Sequence, residues 1–269
     1  MKTILALIDF SDASTNALSF AAELSKRASS HLVILNILQK GDDEEEVKNK
    51  LITIESDFKK SFGTDLNCES SFAHGELIST VKKLIAVHQP DLIVMGTKGA
   101  SGLKKILIGS NTVNVIANTN LPVLVIPEVA RFGNFLKKGK SRIVFATDLV
   151  LLENGDDVNI LKEIASLIIE PKLRVLSVRP KNTNLPNEKK MERSFLLSLF
   201  EPEIEGESVT VFSDNVISGI NFYLNEKNED AGMIAMIARN SGHLIQKHFT
   251  REMASHTHLP LLILHDSKV

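Results

Sequence analysis

The sequence predicts an α/β chain of two tandem doubly wound parallel five-stranded sheets with helices on both faces. Three observations lead there. Short apolar runs alternate with stretches of helical periodicity, and such alternation implies a parallel sheet covered by helices. The pattern restarts near residue 142, where Arg142-Ile143-Val144-Phe145-Ala146-Thr147-Asp148 mirrors Thr3 to Asp9. Finally, the stretch N-T-N-L-P-V-L-V-I from Asn118 is echoed by H-T-H-L-P-L-L-I-L from His256. An internal repeat of this kind marks two copies of one fold. The expected division is a first domain over 1–129, a linker over 130–140 and a second domain over 141–269.

In the first half, Ile4 to Ile8 is a continuous apolar run, as in a strand buried on both faces. Asp9-Phe10-Ser11-Asp12 breaks it, and Ser11 or Asp12 can cap the helix beyond. That helix carries Ala17, Phe20, Ala21, Leu24 and Ala28 at helical spacing. Leu32 to Leu38 is the second strand. The acidic run Asp42 to Glu46 reads as a solvated helix start, because acids in a first turn complement the helix dipole. Its helix shows Val47, Leu51, Ile54 and Phe58 on one face. Residues 66–73 form a weakly patterned strand, and Ile78, Val81 and Ile85 mark the next helix. Leu92 to Met95 and Leu121 to Pro127 are the remaining strands. The segment 130–140 is basic with two glycines and reads as a solvated linker.

Composition excludes several classes. A net charge of −2 gives no general attraction to nucleic acid or to an anionic membrane. The N-terminal apolar run ends at Asp9, too short for a signal core or a bilayer span, so the cytoplasm is the default compartment. Cys68 is the single cysteine, so no intrachain disulfide forms. His256, His258 and His265 do not complete a metal set, since no cysteine or carboxylate motif joins them.

The chain is organised around Met95 to Thr112, M-G-T-K-G-A-S-G-L-K-K-I-L-I-G-S-N-T. It runs from a strand through a glycine-bearing loop into a helix start. Glycine lets backbone approach a ligand without a Cβ clash. A helix start offers unpaired N–H groups and a positive dipole end, which suit phosphate. Ser110 and Thr112 can add hydroxyls there, and Lys98 a mobile positive charge. Judged on spacing alone, the stretch reads equally as an ordinary strand-to-helix turn.

This stretch resembles the nucleotide-binding signature of ATP-binding universal stress proteins, G-2x-G-9x-G-[S/T]. It matches at Gly96, Gly99, Gly109 and Ser110. The resemblance implies a strand order of 3-2-1-4-5, with a cleft between the first and fourth strands, in the adenine nucleotide α-hydrolase-like class. It also implies that Leu7, Ile8 and Asp9 line base and ribose and that Ile37 meets adenine through its backbone. Met95 and Gly96 would flank the ribose, and Lys98, Gly99, Gly109, Ser110, Asn111 and Thr112 would surround the phosphates. The implied ligand is ATP or a related adenine nucleotide, with Mg²⁺ held through the phosphates. Asn111 departs from the family's usual small or apolar residue.

The second half resembles a degenerate copy. Alignment sets Ile237 opposite Gly96, Asn240 opposite Gly99, and Lys247 and His248 opposite Gly109 and Ser110. With every signature glycine gone, the second copy is expected not to bind ATP in the same way. Its loop keeps Arg239, His243, Lys247, His248 and Arg251, which read as an exposed basic loop. No nucleophile, arginine finger or base for water is evident, so the function is expected to be a regulatory binding module in stress rather than an enzyme. A slow ATPase or nucleotide-dependent transferase, and a partner-binding scaffold with an incidental nucleotide, are the alternatives. The family resemblance further implies an internal pseudo-dimer of the two copies through their last strands, and a homodimer.

Overall fold

The computed structural model describes residues 1–63, 66–98, 109–135, 142–150, 152, 155–227, 230–238 and 258–266. The chain divides into two compact units, Met1–Phe132 and Gly133–Val269.

In the first unit the elements are β1 (Thr3–Ile8), α1 (Asp12–Ala28), β2 (His31–Leu38), α2 (Glu44–Phe62), β3 (Cys68–His74), α3 (Leu77–His88), β4 (Leu92–Thr97), α4 (Ser110–Asn118) and β5 (Val123–Pro127). The strands lie in the order β3-β2-β1-β4-β5, each pair parallel. The reversal of winding at β1 and β4 leaves a crevice outside their carboxyl ends. The three central strands are almost wholly apolar, and Ile4, Leu5, Ile34, Leu92, Ile93 and Val94 are inaccessible to solvent. The edge strand β3 alternates, which explains its weak pattern in sequence.

Local chemistry fixes the helix starts. Ser11 accepts the Ser14 N–H at 3.2 Å and caps α1, and Asp43 accepts the Glu46 N–H at 3.1 Å and caps α2. Glu44, Glu45 and Glu46 fill the first turn of α2, as the acidic run predicts. On α1 the buried face is built largely of Ala13, Ala17, Ala21 and Ala22 with Phe20 and Leu24. Small side chains let this helix lie close to the sheet.

The first unit extends past the boundary expected at residue 129. Asn16 on α1 donates through Nδ2 to Pro127 O at 3.0 Å, to Ala130 O at 3.1 Å and, more weakly, to Glu128 O at 3.4 Å. Ala130 is buried, and the Phe132 ring meets Phe20 edge-on with centroids 5.1 Å apart. The start of the basic segment is therefore packed against α1 rather than solvated. A single turn, α5 (Phe132–Phe135), comes next.

The second unit contains β6 (Arg142–Ala146), α6 (Asn159–Ser166), β7 (Lys172–Arg179), α7 (Asn187–Ser198), β8 (Glu205–Phe212), α8 (Val216–Phe222), β9 (Ala231–Ala238) and β10 (Leu261–His265). Its strands take the same winding, β8-β7-β6-β9-β10, all parallel. The registers agree with the repeat seen in sequence. Val123 pairs with Ile93, and its echo Leu261 pairs with Ile234, which sets Ile237 at the position of Gly96. Leu5 pairs with Ile93 and Val144 with Ile234, which sets Asp148 at the position of Asp9. Backbone detail repeats as well. Phe10, directly after Asp9, has φ of 60°, and Leu149, directly after Asp148, has φ of 55°. Ser29 and Glu170, each two residues before the second strand of its unit, both have φ of 52°. A bulky residue in the left-handed region costs about 1 kcal/mol. Its presence in both units makes the bend a property of the fold.

Among the described residues, no helix is long and apolar enough to cross a membrane. The Asn16 clamp gives a test of the packed boundary. Asn16→Ala should destabilise the first unit by about 1–3 kcal/mol, because neighbouring carbonyls lose a donor. Urea unfolding of the variant and the intact protein checks it, and an unchanged midpoint would mean that the clamp adds nothing to the boundary.

Candidate functional site

A cleft of about 930 Å³ opens at the carboxyl ends of β1, β2 and β4. Its size lies within the range of small-molecule sites. Leu7, Ile8, Asp9, Ile37, Met95, Gly96, Lys98, Gly109, Ser110, Asn111 and Thr112 all line it. Gly99, the other member of the expected set, lies outside the described residues. The apolar members Leu7, Ile8, Ile37 and Met95 are each at least nine-tenths buried and form a greasy wall.

Asp9 lies just past the end of β1 and accepts from the Ser11 N–H at 3.1 Å and from the Ser11 hydroxyl. Its own N–H donates to Ser14 Oγ at 3.3 Å. Partial burial pushes the Asp9 carboxyl up, but the hydrogen bonds from Ser11 and Ser14 outweigh it and hold the group below its ordinary value. Asp9 is thus built into the turn that starts α1.

The two signature glycines that can be seen serve different ends. A Cβ on Gly96 would run into the Ala13 carbonyl and lie 2.7 Å from Ser14 N. Gly96 is therefore required by the close approach of α1 to β4. Around Gly109, among the described residues, no atom lies within 4 Å of where a Cβ would stand, and its φ of −57° suits any residue. Nothing in the described residues requires glycine there.

Gly109 is also the N-cap of α4 and makes no side-chain cap bond, in contrast to Ser11, Asp43 and Glu76 at the starts of α1, α2 and α3. The first turn of α4, with Ser110 and Asn111 exposed, borders the cleft and has no capping side chain from Gly109. Such a helix start attracts an anion. Thr112 differs from the expectation of a free hydroxyl donor. It is buried, and its Oγ1 donates to Gly96 O at 3.3 Å, tying α4 to β4.

Sequence reasoning missed part of the lining. Phe10, Asn36, Gln39, Asp42, Asp43, Glu46 and Lys50 also face the cleft. Lys50 pairs with Glu46 at 2.6 Å and its ammonium lies 5.4 Å from the centroid of the Phe10 ring. The acidic run 42–46 gives a signal for a helix start, and nothing local tells that the same turn faces the end of β1. Asn36 is visible as the one polar residue between Leu32 and Leu38.

In the second unit Ile237 occupies the Gly96 position, and a side chain there excludes the approach that α1 makes in the first. α1 begins three residues after Asp9, whereas α6 begins eleven residues after Asp148, behind a 3-10 turn at Asp156–Val158. Lys189 Nζ donates to Asp148 O at 2.7 Å. Asn240, Lys247 and His248, set by alignment opposite Gly99, Gly109 and Ser110, lie outside the described residues, as do Arg239, His243, Arg251 and His256. Among the described residues no three His, Cys, Asp or Glu side chains come together as metal ligands.

The glycines give opposite expectations. Gly96→Val should lower stability sharply, by more than about 3 kcal/mol, because backbone rather than a flexible side chain stands in the way. Gly109→Val should fold with stability unchanged within about 0.5 kcal/mol. Thermal unfolding of both variants checks the pair, and equal effects would contradict the assignment. For Asp9 the sign is set by its lowered carboxyl. The stability it supplies is present above the ordinary value of 3.8 and is lost as pH falls through the lower folded value. The melting temperature of Asp9→Asn should therefore lie below that of the intact protein at pH 7, with the gap closing toward pH 3.

Comparison with known proteins accords with this architecture. A model of the universal stress protein family matches residues 1–127. A universal stress protein of Methanocaldococcus jannaschii is 36% identical over 83 residues, which is 30% of this chain and 49% of that protein. The matched stretch thus spans about half of that relative's length. The universal stress protein YxiE of Bacillus subtilis is 27% identical over 143 residues, covering 46% of this chain and 97% of that one. Among solved structures, a universal stress protein from Archaeoglobus fulgidus superposes with a TM-score of 0.75 at 18% identity, covering 98% of each chain. A functionally unknown protein from Pseudomonas aeruginosa gives 0.64 at 14% identity, covering 99% of this chain and 93% of that one. These two likenesses speak for the fold. The family model matches the first unit almost end to end, and over that unit the chain is similar to universal stress proteins.

Proposed function

We propose that the first unit binds ATP or a related adenine nucleotide, with Mg²⁺ carried on the phosphates, and acts as a cytoplasmic regulatory module in the response to stress. The observation that carries this reading is the start of α4. Gly109 is open on its Cβ side among the described residues, is not required by φ, and leaves the first turn of the helix without a capping side chain. A backbone that is bare where its described neighbours have no need of it suits close contact with a phosphate. Lys98 lines the same cleft as a mobile cation, and the apolar wall of Leu7, Ile8, Ile37 and Met95 suits a purine ring. The residues present therefore fit the nucleotide. Phosphates would rest on Gly109, Ser110 and Asn111, and the base would lie toward the end of β2.

The second unit does not take a nucleotide in the same way in this reading. Ile237 fills the position through which Gly96 brings α1 close, and the helix start that builds half of the first cleft is displaced.

Calorimetric titration with ATP and Mg²⁺ tests the proposal. The intact protein should bind one nucleotide per chain. Gly109→Val should lose binding while keeping its fold, and Asp148→Ala should bind as the intact protein does. Binding that survives Gly109→Val, or is lost in Asp148→Ala, would place the nucleotide elsewhere.

A further inference from the structure

We infer that Asn36 reads the base in this cleft, selecting purines with an amino group at position 6 over those with a 6-oxo group. The inference rests on the adenine nucleotide reading above and deepens it. Asn36 interrupts the apolar strand Leu32-Val33-Ile34-Leu35-Asn36-Ile37-Leu38 and is 4% exposed. An amide in such a strand is costly unless both ends are satisfied. Only one end is. Nδ2 donates to Ile8 O at 3.0 Å, across the β1–β2 register. Because a backbone carbonyl can only accept, that bond fixes which way the amide is turned. Among the described residues, Oδ1 is left buried with no hydrogen-bond partner.

This residue lines the same cleft as Asp9, Ile37 and Met95. It stands on β2, on one side of β1, while the start of α4 comes after β4 on the other side. Two strand spacings, about 10 Å, separate the two ends, a span that a nucleotide bridges with its phosphates at α4 and its base at β2. The terminal torsion of an asparagine is soft, so a small rotation of the whole amide brings Oδ1 toward a donor in the cleft while the Nδ2 bond to Ile8 O bends without breaking. A 6-amino group supplies that donor. A 6-oxo group presents a second acceptor at that point, and the donor of such a base, N1–H, stands one ring position away from it. Asp9, the other acceptor near the base, takes the Ser11 N–H and hydroxyl on one oxygen, Oδ1, so the Asn36 variant below is what separates the two acceptors. Since ATP, AMP and cyclic AMP share the base, the selection does not depend on the number of phosphates.

The test is titration of the full chain with ATP and with inosine triphosphate, which differ at the 6 position, in the presence of Mg²⁺. The intact protein should prefer ATP by about tenfold, the scale of one hydrogen bond made against one acceptor left unmet. Asn36→Leu, close in shape and without the carbonyl, should bring the two affinities within about twofold of each other. Equal affinities in the intact protein would overturn the role of Asn36 and leave the nucleotide reading standing. A preference for ATP that persists in Asn36→Leu would overturn it as well and assign base reading to Asp9 or the Ile37 backbone. Binding of neither nucleotide would end the nucleotide reading and this inference with it. Should Asn36→Leu fail to fold, the side-chain amide resonance of Asn36 in the labelled intact protein decides. A shift with ATP and not with inosine triphosphate supports the inference, and the same response to both overturns it.

Discussion

The first unit depends on one close contact, the seating of the first turn of α1 against β4 at Gly96. No side chain can stand at that point, because the Ala13 carbonyl and the Ser14 amide occupy its space. The contact sets where α1 begins. It thereby sets where Ser11 caps and where Asp9 turns, since Ser11 and Ser14 bond directly to Asp9. On the other flank Thr112 holds α4 to the same residue through Gly96 O. Two helix starts thus converge on one glycine, and the cleft is the space between them. A site placed on strand ends and helix starts is held more rigidly than one placed on loops.

The second unit lacks that constraint. Its sheet keeps the winding, the register and even the left-handed residues after the first strand and before the second. These features belong to sheet and turn geometry. The Gly96 position carries Ile237, and the helix after the first strand starts much later. The repeat is retained where packing enforces it and has diverged where the first unit builds its cleft.

Apolar runs and helical spacing locate the strands and helices of the first unit from the residues alone, because burial on both faces leaves a continuous apolar signal. The Leu-Pro echo locates the repeat. Eleven of the twelve expected site residues meet around one cleft, and Gly99 alone lies outside the described residues. The spacing hides the division of labour among them. Gly96 and Gly109 look alike in a motif, yet one answers to Ala13 and the other to no described neighbour, a difference that exists only across the fold. The Thr112 hydroxyl is likewise spent on a carbonyl sixteen residues away. The packing of Ala130 and Phe132 on α1 is hidden for the same reason, since a basic, glycine-bearing segment resembles a linker until Asn16 is seen beneath it.

A crystal structure of the protein grown with ATP and Mg²⁺ would decide whether the cleft between β1 and β4 holds a nucleotide with its phosphates on the start of α4. The expected result is phosphate density within hydrogen-bonding distance of the backbone N–H groups of Ser110 and Asn111, with the base against Ile37 and Met95. Nucleotide density at the carboxyl ends of β6 and β9, or a first-unit cleft that stays free of nucleotide at saturating concentration, would contradict it.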